Sequence, residues 1–188
     1  CAFANREVLA HLAREAFSSV LEVNEKDIRT LYGVGHNTAK IEKHKVNGKT
    51  RKLLVQRKGA TRGFGPGSDG VPNAYQKVGQ PVIVGGTMGT ASYILAGTSK
   101  AMSETFGSAL HGAGRTMSRV KALREWKGEK VVEELARKGI LVKGHGMKGL
   151  AEEAPGAYKD IDEVVDIVAR QGLCNKVARV KPWIVVKG

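Results

Sequence analysis

The dipeptide Asn47-Gly48 constrains the fold of this chain more than any other local signal. It separates two strand-like runs, Ile41–Val46 and Lys49–Gln56. An Asn-Gly pair between such runs is the strongest short-range sign of a β-hairpin, because both residues tolerate the positive φ angles of a two-residue turn. Both runs are rich in lysine, which predicts strands that face solvent or a polyanion. We therefore expect His44, within the first run, to be solvated.

Short helices and strands alternate along the rest of the chain without a regular strand–helix–strand rhythm. The helical segments expected from apolar spacing and caps are Asn5–Glu22, a turn over Glu25–Arg29 capped by Asn24, Arg115–Leu123, Glu129–Arg137, and a helix from Asp160 or Asp162 to Arg170. The expected strands are Gln80–Val84, Ser92–Ala96, Ile140–Val142 and Lys176–Lys187, with a strand end within Leu31–Asn37. The glycine-rich stretches Arg57–Gly70 and Gly144–Gly149 are expected to be loops. This pattern indicates a mixed α/β or α+β fold, with residues 1–188 in one domain.

The chain is strongly basic, with 31 Lys and Arg against 18 Asp and Glu and a formal charge of +13. Such an excess favours polyanionic partners, nucleic acid before a membrane surface. A basic surface kept only for solubility ranks below nucleic acid because glycine-rich turns and basic residues recur together. No apolar run approaches the ~20 residues of a membrane span. The two cysteines, Cys1 and Cys174, give no disulfide framework and suit a reducing compartment, so we expect the cytoplasm.

A glycine-rich turn around His111 is the first candidate for chemistry. Gly112 and Gly114 flank Ala113 and leave room for backbone N–H groups to approach a phosphate. A helix that began at Gly114 would point its positive end at the same place. A histidine beside a phosphate suggests a nucleophile or an acid–base group. On these five residues alone, a tight loop whose histidine bonds the backbone is the better interpretation.

The remaining histidines are weaker candidates. His36 lies between Gly35 and Asn37 where ligands often converge, although a lone histidine is more often structural than metal-binding. The sequence contains no CxxC, HExxH or P-loop pattern, so a metal at His36 would need partners that are distant or absent from this chain. The residues by themselves indicate a basic α/β protein with phosphate-binding loops and a histidine that could act as a nucleophile or an acid–base group.

Several motifs in order carry a more specific resemblance. They are Gly35-His-Asn-Thr-Ala-Lys40, Arg57-Lys-Gly-Ala-Thr-Arg62, Gly85-Gly-Thr-Met-Gly-Thr90, His111-Gly-Ala-Gly-Arg115, Glu152-Glu-Ala-Pro-Gly-Ala-Tyr158 and the terminal Val-Lys-Gly. Their order and spacing resemble the C-terminal part of the RtcB family of RNA-splicing ligases. The resemblance spans nearly the whole chain.

The resemblance implies a GTP- and Mn²⁺-dependent ligase. Such an enzyme joins RNA ends with a 2′,3′-cyclic phosphate or 3′-phosphate to ends with a 5′-hydroxyl, as in RNA repair and in the joining of tRNA exon halves. His111 matches the histidine that attacks the α-phosphorus of GTP and becomes guanylylated. GMP then passes to the RNA 3′-phosphate, and the 5′-hydroxyl displaces it. RNA and a helper such as archease are the implied partners.

Further residue roles follow from the same resemblance. His36 resembles a Mn²⁺ ligand, and Asn37 resembles a nucleotide contact. The residues that resemble the guanylate site are Gly85, Gly86, Thr87, Met88 and Ser92 in one loop, Gly112, Ala113 and Gly114 beside His111, and Lys187 near the end. Lys58, Arg62 and Arg115 are candidate phosphate or RNA ligands, and Tyr158 either lines the guanine pocket or simply packs.

The chain departs from the family at the metal site. The family's other ligands, an aspartate, a cysteine and two histidines, belong to an N-terminal part that these residues do not match. We therefore hypothesise a C-terminal fragment, incomplete without its N-terminal part, such as a truncation or the downstream extein of an intein-split gene. Alone it is expected to bind Mn²⁺ poorly and to ligate little RNA. The alternative function is a non-catalytic, basic RNA-binding module.

Overall fold

A computed structural model describes residues 1–187, and the chain divides into two compact units, Cys1–Gly35 and His36–Gly188. The first unit contains helix α1 (Ala2–Leu21) and a 3₁₀ turn (Glu25–Asp27) in which the Asn24 side chain accepts a hydrogen bond from the Lys26 backbone N–H. The predicted first helix and the Asn24 cap are thus confirmed. The predicted strand end at Leu31–Asn37 is wrong, because residues 31–35 form no regular element and the next strand begins at Asn37. Glycines at two of these five positions disfavour a strand.

The second unit opens with the β-hairpin that the Asn-Gly pair predicts. Strands β1 (Asn37–Val46) and β2 (Lys49–Lys58) are antiparallel, and Asn47 and Gly48 take φ angles of 51° and 76°. Positive φ at both positions is the signature of a type I′ turn, whose twist matches that of the strands. The expectation that His44 is solvated is wrong, since it is 3% exposed. It lies on the inward face of the strand, whereas the neighbouring lysines point outward.

A short two-stranded sheet follows the hairpin. Strand β3 (Ala60–Arg62) pairs antiparallel with β6 (Ser108–Leu110), which ends one residue before His111. The prediction that Arg57–Gly70 lacks regular structure is therefore wrong at its start. Glycine removes side chains, but it leaves the backbone groups that form the strand ladder. This sheet fixes the entry to the His111 loop.

The main core lies under a three-stranded antiparallel sheet of order β4-β5-β8. Its strands are β4 (Pro81–Val84), β5 (Ser92–Gly97) and β8 (Cys174–Val180). Helix α6 (Ile161–Arg170) contributes Ile161 and Val165 to this core, and the Asp160 side chain caps it, as predicted. A side-chain cap of this kind contributes about 1 kcal/mol to helix stability.

A second core joins two helices to a parallel strand pair. It packs residues from α4 (Gly128–Arg137) and α5 (Met147–Glu152) against β7 (Leu141–Gly144) and β9 (Ile184–Lys187). The predicted single strand Lys176–Lys187 is in fact two strands, β8 and β9, because the chain turns at residues 181–183, which include a proline. Part of the predicted loop Gly144–Gly149 is the first turn of α5.

The two remaining helices flank the His111 loop. Helix α2 (Ser99–Glu104) precedes it, and α3 (Arg119–Glu125) follows it with Ser118 as its N-cap. The helix predicted over Arg115–Leu123 is present as α3, but its predicted start at Gly114 or Arg115 is wrong, because Gly114 takes a φ of 75° and helical geometry starts four residues after Arg115. Among the described residues, no helix has the length and apolar character needed to cross a membrane. Helices with several small sheets confirm the expected α+β fold.

Candidate functional site

Two glycine-rich loops are joined side by side at the centre of the site. Gly85 and Gly112 form an isolated parallel bridge between the loop after β4 and the loop after β6. The Gly85 N–H donates to the His111 carbonyl oxygen at 3.2 Å, and the Ala113 N–H donates to the Gly85 carbonyl oxygen at 3.0 Å. The sequence-predicted nucleotide loop and histidine loop therefore form one local unit, although they are about 25 residues apart in the chain.

The imidazoles of His36 and His111 stack on each other. Their ring centroids are 5.1 Å apart, and their planes differ by 21°. Gly59 lies against this pair: its N–H donates to the His36 carbonyl oxygen at 2.9 Å, and a methyl group added to it would lie 3.5 Å from His111 Cε1. Asn37 begins β1 beside them and pairs with Lys58. The base of the hairpin thus brings His36 and Asn37 to the His111 loop.

The described residues do not supply a complete metal site. Among residues 1–187, no group of three or more His, Cys, Asp or Glu side chains could together hold a metal ion. His36 and His111 offer two imidazoles, whereas zinc and most transition-metal sites in proteins have three or four protein ligands. A metal at this position would need ligands beyond those two.

A pocket of about 400 Å³ opens beside the joined loops. This is within the usual range for small-molecule sites, roughly 300–1,000 Å³. Ser92 Oγ accepts a hydrogen bond from the Gly86 N–H at 3.2 Å, and Thr90 Oγ1 accepts from the Thr87 N–H at 2.9 Å, so the loop is held by its own hydroxyls. The predicted site residues that line the pocket are Gly86, Thr87, Met88, Ser92, Tyr158 and Lys187.

Glu153 is the main carboxylate of this pocket, and sequence reasoning assigned it no role. Its carboxylate accepts a hydrogen bond from the Tyr158 hydroxyl and lies 3.9 Å from Lys187 Nζ, 3.5 Å from Arg115 and 3.1 Å from Arg119. Burial alone would raise the pKa of Glu153, but the hydroxyl and the three cations together lower it below its ordinary value. Burial and this anionic neighbour raise the pKa of Tyr158. The pocket wall therefore contains charged groups of both signs, and the Glu153 carboxylate offsets part of the charge of the three cations.

Four further residues of the predicted site do not line the pocket, and two of them, Arg62 and Arg115, form hydrogen bonds within the fold. The Arg115 guanidinium donates to the carbonyl oxygens of Met117 and Glu152 and to the Tyr158 hydroxyl, so its donors are largely used by the fold. Arg62 donates to Gln80 and Gly70 and stacks over Phe64. Gly114 accepts a hydrogen bond from the Lys159 N–H and is not among the residues that line the pocket. Lys58 is exposed at the base of the hairpin.

A buried ionic network connects the hairpin to the strand that carries His111. Arg57 donates to both oxygens of Glu42 at 2.7 and 2.8 Å, and His44 Nε2 lies 3.0 Å from the same carboxylate. Arg57 also donates to Ser108 Oγ at 3.0 Å and to the Phe106 carbonyl oxygen at 2.8 Å. Burial would raise the pKa of Glu42, but the hydrogen bonds from Arg57 and His44 lower it below its ordinary value. The hairpin and β6 are therefore clamped together.

The sequence contains part of a signal for this network. The Asn47-Gly48 turn fixes the register, which places Glu42, His44 and Arg57 on the same face as Leu53 and Val55. The opposite face carries an apolar pair as well, Ile41 and Leu54, so the pattern groups the network residues but does not select the buried face. For Glu153, the only signal is its place in the Glu152–Tyr158 motif.

Comparison with known proteins matches the entire chain to one family. The family model described as tRNA-splicing ligase RtcB matches residues 1–188. The tRNA-splicing ligase RtcB of Archaeoglobus fulgidus is 53% identical over 189 residues, which is 100% of this chain and 39% of that protein. The Methanococcus maripaludis relative is 51% identical, with 100% and 39% covered. The Pyrococcus furiosus relative is 50% identical, with 100% and 20% covered. The chain thus spans between a fifth and two fifths of the length of these relatives.

Proposed function

The chain belongs to the RtcB family of tRNA-splicing ligases, and from this premise we propose that it carries the nucleophile and nucleotide pocket of an RNA ligase. The proposed reaction joins an RNA 2′,3′-cyclic phosphate or 3′-phosphate to a 5′-hydroxyl, with GTP as the energy source. The RNA would be the two exon halves of a spliced tRNA or broken RNA under repair.

In the proposed mechanism, the neutral imidazole of His111 attacks the α-phosphorus of GTP. A nitrogen–phosphorus bond forms, the bond to the β-phosphate oxygen breaks, and pyrophosphate leaves. Where the RNA ends in a 2′,3′-cyclic phosphate, water first attacks that phosphorus and breaks its bond to O2′, which leaves a 3′-phosphate. An oxygen of the RNA 3′-phosphate then attacks the phosphorus carried by His111, the nitrogen–phosphorus bond breaks, and GMP passes to the RNA. Finally the 5′-hydroxyl of the second RNA attacks the activated 3′-phosphate and displaces GMP. Each transfer exchanges one phosphorus bond for another, and no oxidant is needed.

The Gly85–Gly112 bridge is the observation that supports this proposal best. It fastens the His111 loop to the loop whose next residue, Gly86, lines the pocket. A nucleotide held by that pocket would therefore lie beside the imidazole. We propose that Gly86, Thr87, Met88 and Ser92 contact the nucleotide, and that Tyr158 and Lys187 contact its base.

Manganese has a limited place in the proposal. His36 stacks on His111 and would supply one ligand, and a divalent cation there would offset charge on the phosphates. Since the described residues offer no complete ligand set, we propose that the other ligands lie outside residues 1–187.

A labelling experiment tests the proposal. A full-length protein that contains these residues is incubated with [α-³²P]GTP and Mn²⁺, as wild type, His111→Ala and His145→Ala. We expect covalent label on the wild type and on His145→Ala, which alters an exposed histidine outside the site, and none on His111→Ala. Label retained by His111→Ala would exclude this nucleophile.

The second candidate function, a non-catalytic RNA-binding module, is favoured by the concentration of cations on the hairpin. It predicts RNA binding with no label on any of the three proteins. The 188-residue chain assayed alone adds a further test, because label on it would contradict the proposal that ligands from outside are needed.

A further inference from the structure

The hairpin carries most of the net positive charge of the chain. Its residues Asn37–Lys58 include eight Lys and Arg and one Glu, a balance of +7 against +13 for the entire chain. Arg57 and Glu42 neutralise each other inside the buried network. In the described part of the chain, none of the other seven cations lies within ion-pair distance of a carboxylate; they are Lys40, Lys43, Lys45, Lys49, Arg51, Lys52 and Lys58.

Cations elsewhere in the described second unit are of both kinds. Some, such as Arg119, Lys176 and Arg179, contact a carboxylate, and others do not. The hairpin differs in density, because seven cations without an ion pair lie on two paired strands that hold a single carboxylate, Glu42. A group of like charges held on a rigid sheet raises the local potential and attracts a polyanion.

The antiparallel register places part of this charge on one outer face. Alternation puts Asn37, Ala39, Ile41, Lys43 and Lys45 of β1 on the same side as their partners Lys58, Gln56, Leu54, Lys52 and Thr50 of β2, and we name this side the outer face. All ten residues are exposed. Ile41 and Leu54 lie directly opposite each other and are 74% and 62% exposed.

Lys43 and Lys52 also lie directly opposite each other on the outer face. Like charges at opposed positions destabilise an antiparallel pair. A phosphate bound between two such lysines would remove that repulsion. The pair therefore suits a surface that is covered by anions in its working state.

The outer face is continuous with the candidate site. It begins at Asn37 and Lys58, which adjoin His36 and Gly59, and these contact the His111 loop. From there it extends for about 25 Å to Lys45 and Thr50, at roughly 3.3 Å per residue. The Glu42–Arg57 network on the opposite face holds the hairpin against β6, so the outer face has a fixed position relative to His111.

We propose that the outer face is a docking surface for the RNA substrate, with phosphates near Lys43, Lys45 and Lys52 and base contacts on Ile41 and Leu54. This inference rests on the proposed function for the identity of the polyanion. An RNA strand whose reactive end lies at His111 would run along the hairpin toward the Asn47-Gly48 turn.

Two variants of equal charge test the proposal. Lys43→Gln/Lys45→Gln/Lys52→Gln removes three charges from the outer face. Lys40→Gln/Lys49→Gln/Arg51→Gln removes three charges from the opposite side of the same strands. Affinity for a fluorescently labelled, single-stranded RNA with a 3′-phosphate is measured by anisotropy over a series of salt concentrations.

The outer-face variant is expected to bind RNA at least about tenfold more weakly. Its slope of log K against log salt should fall by about 2, because each lost contact to a single strand contributes about 0.7. The opposite-side variant should change the slope by less than half of that. A third variant with arginine at positions 43, 45 and 52 should retain the affinity, and thermal unfolding should show that all three variants remain folded.

The proposal is overturned if the two glutamine variants lose affinity and slope equally, or if the outer-face variant loses neither. Guanylylation of His111 in the full-length protein is measured in parallel and should be unchanged in every variant. Absence of guanylylation in the wild type would count against the proposed function, whereas the RNA affinities would still decide the role of the outer face.

Discussion

Glu42 and Glu153 are both carboxylates surrounded by cations, one beneath the hairpin and the other in the pocket wall. Glu42 is 8% exposed and forms two hydrogen bonds, at 2.7 and 2.8 Å, to a single arginine. Glu153 has three cationic partners at 3.1–3.9 Å, and two of them, Arg119 and Lys187, have side chains that are 63% and 39% exposed. The partners of Glu42 are buried and have no access to water as a substitute. Two of the three cations beside Glu153 are partly exposed, so water can solvate them.

This difference indicates what each region can do. Arg57 cannot lose its charge and is buried, so the Glu42 network holds β1, β2 and β6 in one arrangement. Two partners of Glu153, Arg119 and Lys187, could rotate away when a ligand enters, because water would still solvate them. The hairpin base is thus a rigid support, whereas the pocket wall is adjustable.

The largest expected effect is from Glu42→Gln. It leaves the buried Arg57 charge without a counterion, which costs about 3–5 kcal/mol of unfolding free energy. Urea denaturation measures the change. The double variant Glu42→Leu/Arg57→Met serves as the control and should recover most of the loss, because it removes both charges. A loss below about 1 kcal/mol for Glu42→Gln would show that the two regions do not differ as described.

Acid should weaken both regions. The pKa values of Glu42 and Glu153 are below the ordinary 4.5 in the folded protein, so the unfolded chain binds more protons as the pH falls. Their contribution to stability is therefore complete above about pH 4.5 and is lost as the pH falls through the lowered folded values. Urea midpoints from neutral to acidic pH should fall less steeply in Glu42→Gln than in the wild type. Equal steepness would contradict the assigned charge state.

Glu153→Gln should cost only about 1 kcal/mol, because its cationic partners are partly solvated and retain water as a substitute. Glu152→Gln is the matched control. It makes the same charge change one residue earlier, where the carboxylate lies 3.8 Å from Arg119 Nε. We expect its effect to stay below about 0.5 kcal/mol. If Glu153→Gln destabilised the protein as much as Glu42→Gln, the pocket wall would be rigid as well.

The smallest effect is expected at Arg179, which forms an exposed ion pair with Asp162 at 2.7 Å. The hydrogen bonds from Arg179 and Tyr93 lower the pKa of Asp162 to about 2, yet both side chains of the pair are more than 40% exposed. Arg179→Gln should therefore lower the unfolding temperature less than Glu153→Gln does. Thermal unfolding at low and high salt should show a difference only at low salt. A salt-independent loss would indicate a structural role.

The sequence predicts the elements whose signals are local. The hairpin follows from Asn47-Gly48, and α6 follows from its Asp160 cap and its apolar spacing. Local signals fail where a strand is defined by its pairing with a distant segment. Ala60–Arg62 is a strand only because Ser108–Leu110 pairs with it, and no local pattern predicts this partner.

For the candidate site, the resemblance selected residues that the structure places close together. His36 and His111 stack, and the pocket collects Gly86, Tyr158 and Lys187 from three separate segments. The sequence could not predict which charged side chains pair with one another, as Glu42 does with Arg57 and His44. His44 was expected to be solvated because lysines surround it in the chain, but alternate residues of a strand face opposite sides. The register groups His44 with Glu42 and Arg57, but both faces of the hairpin carry apolar residues, so the pattern alone does not select the buried face.

The adjacent glycines Gly85 and Gly86 differ in what a side chain at each position would meet. A methyl group on Gly86 would lie 1.8 Å from the Ala91 carbonyl oxygen, so any substitution there displaces backbone before a ligand is involved. A methyl group on Gly85 meets nothing within 4 Å. In a library of variants, selection for folding alone would remove changes at Gly86 and accept alanine at Gly85. If the proposed ligation depends on the Gly85–Gly112 bridge, selection for that activity would act on both positions, so comparing the two selections at neighbouring codons separates foldability from function.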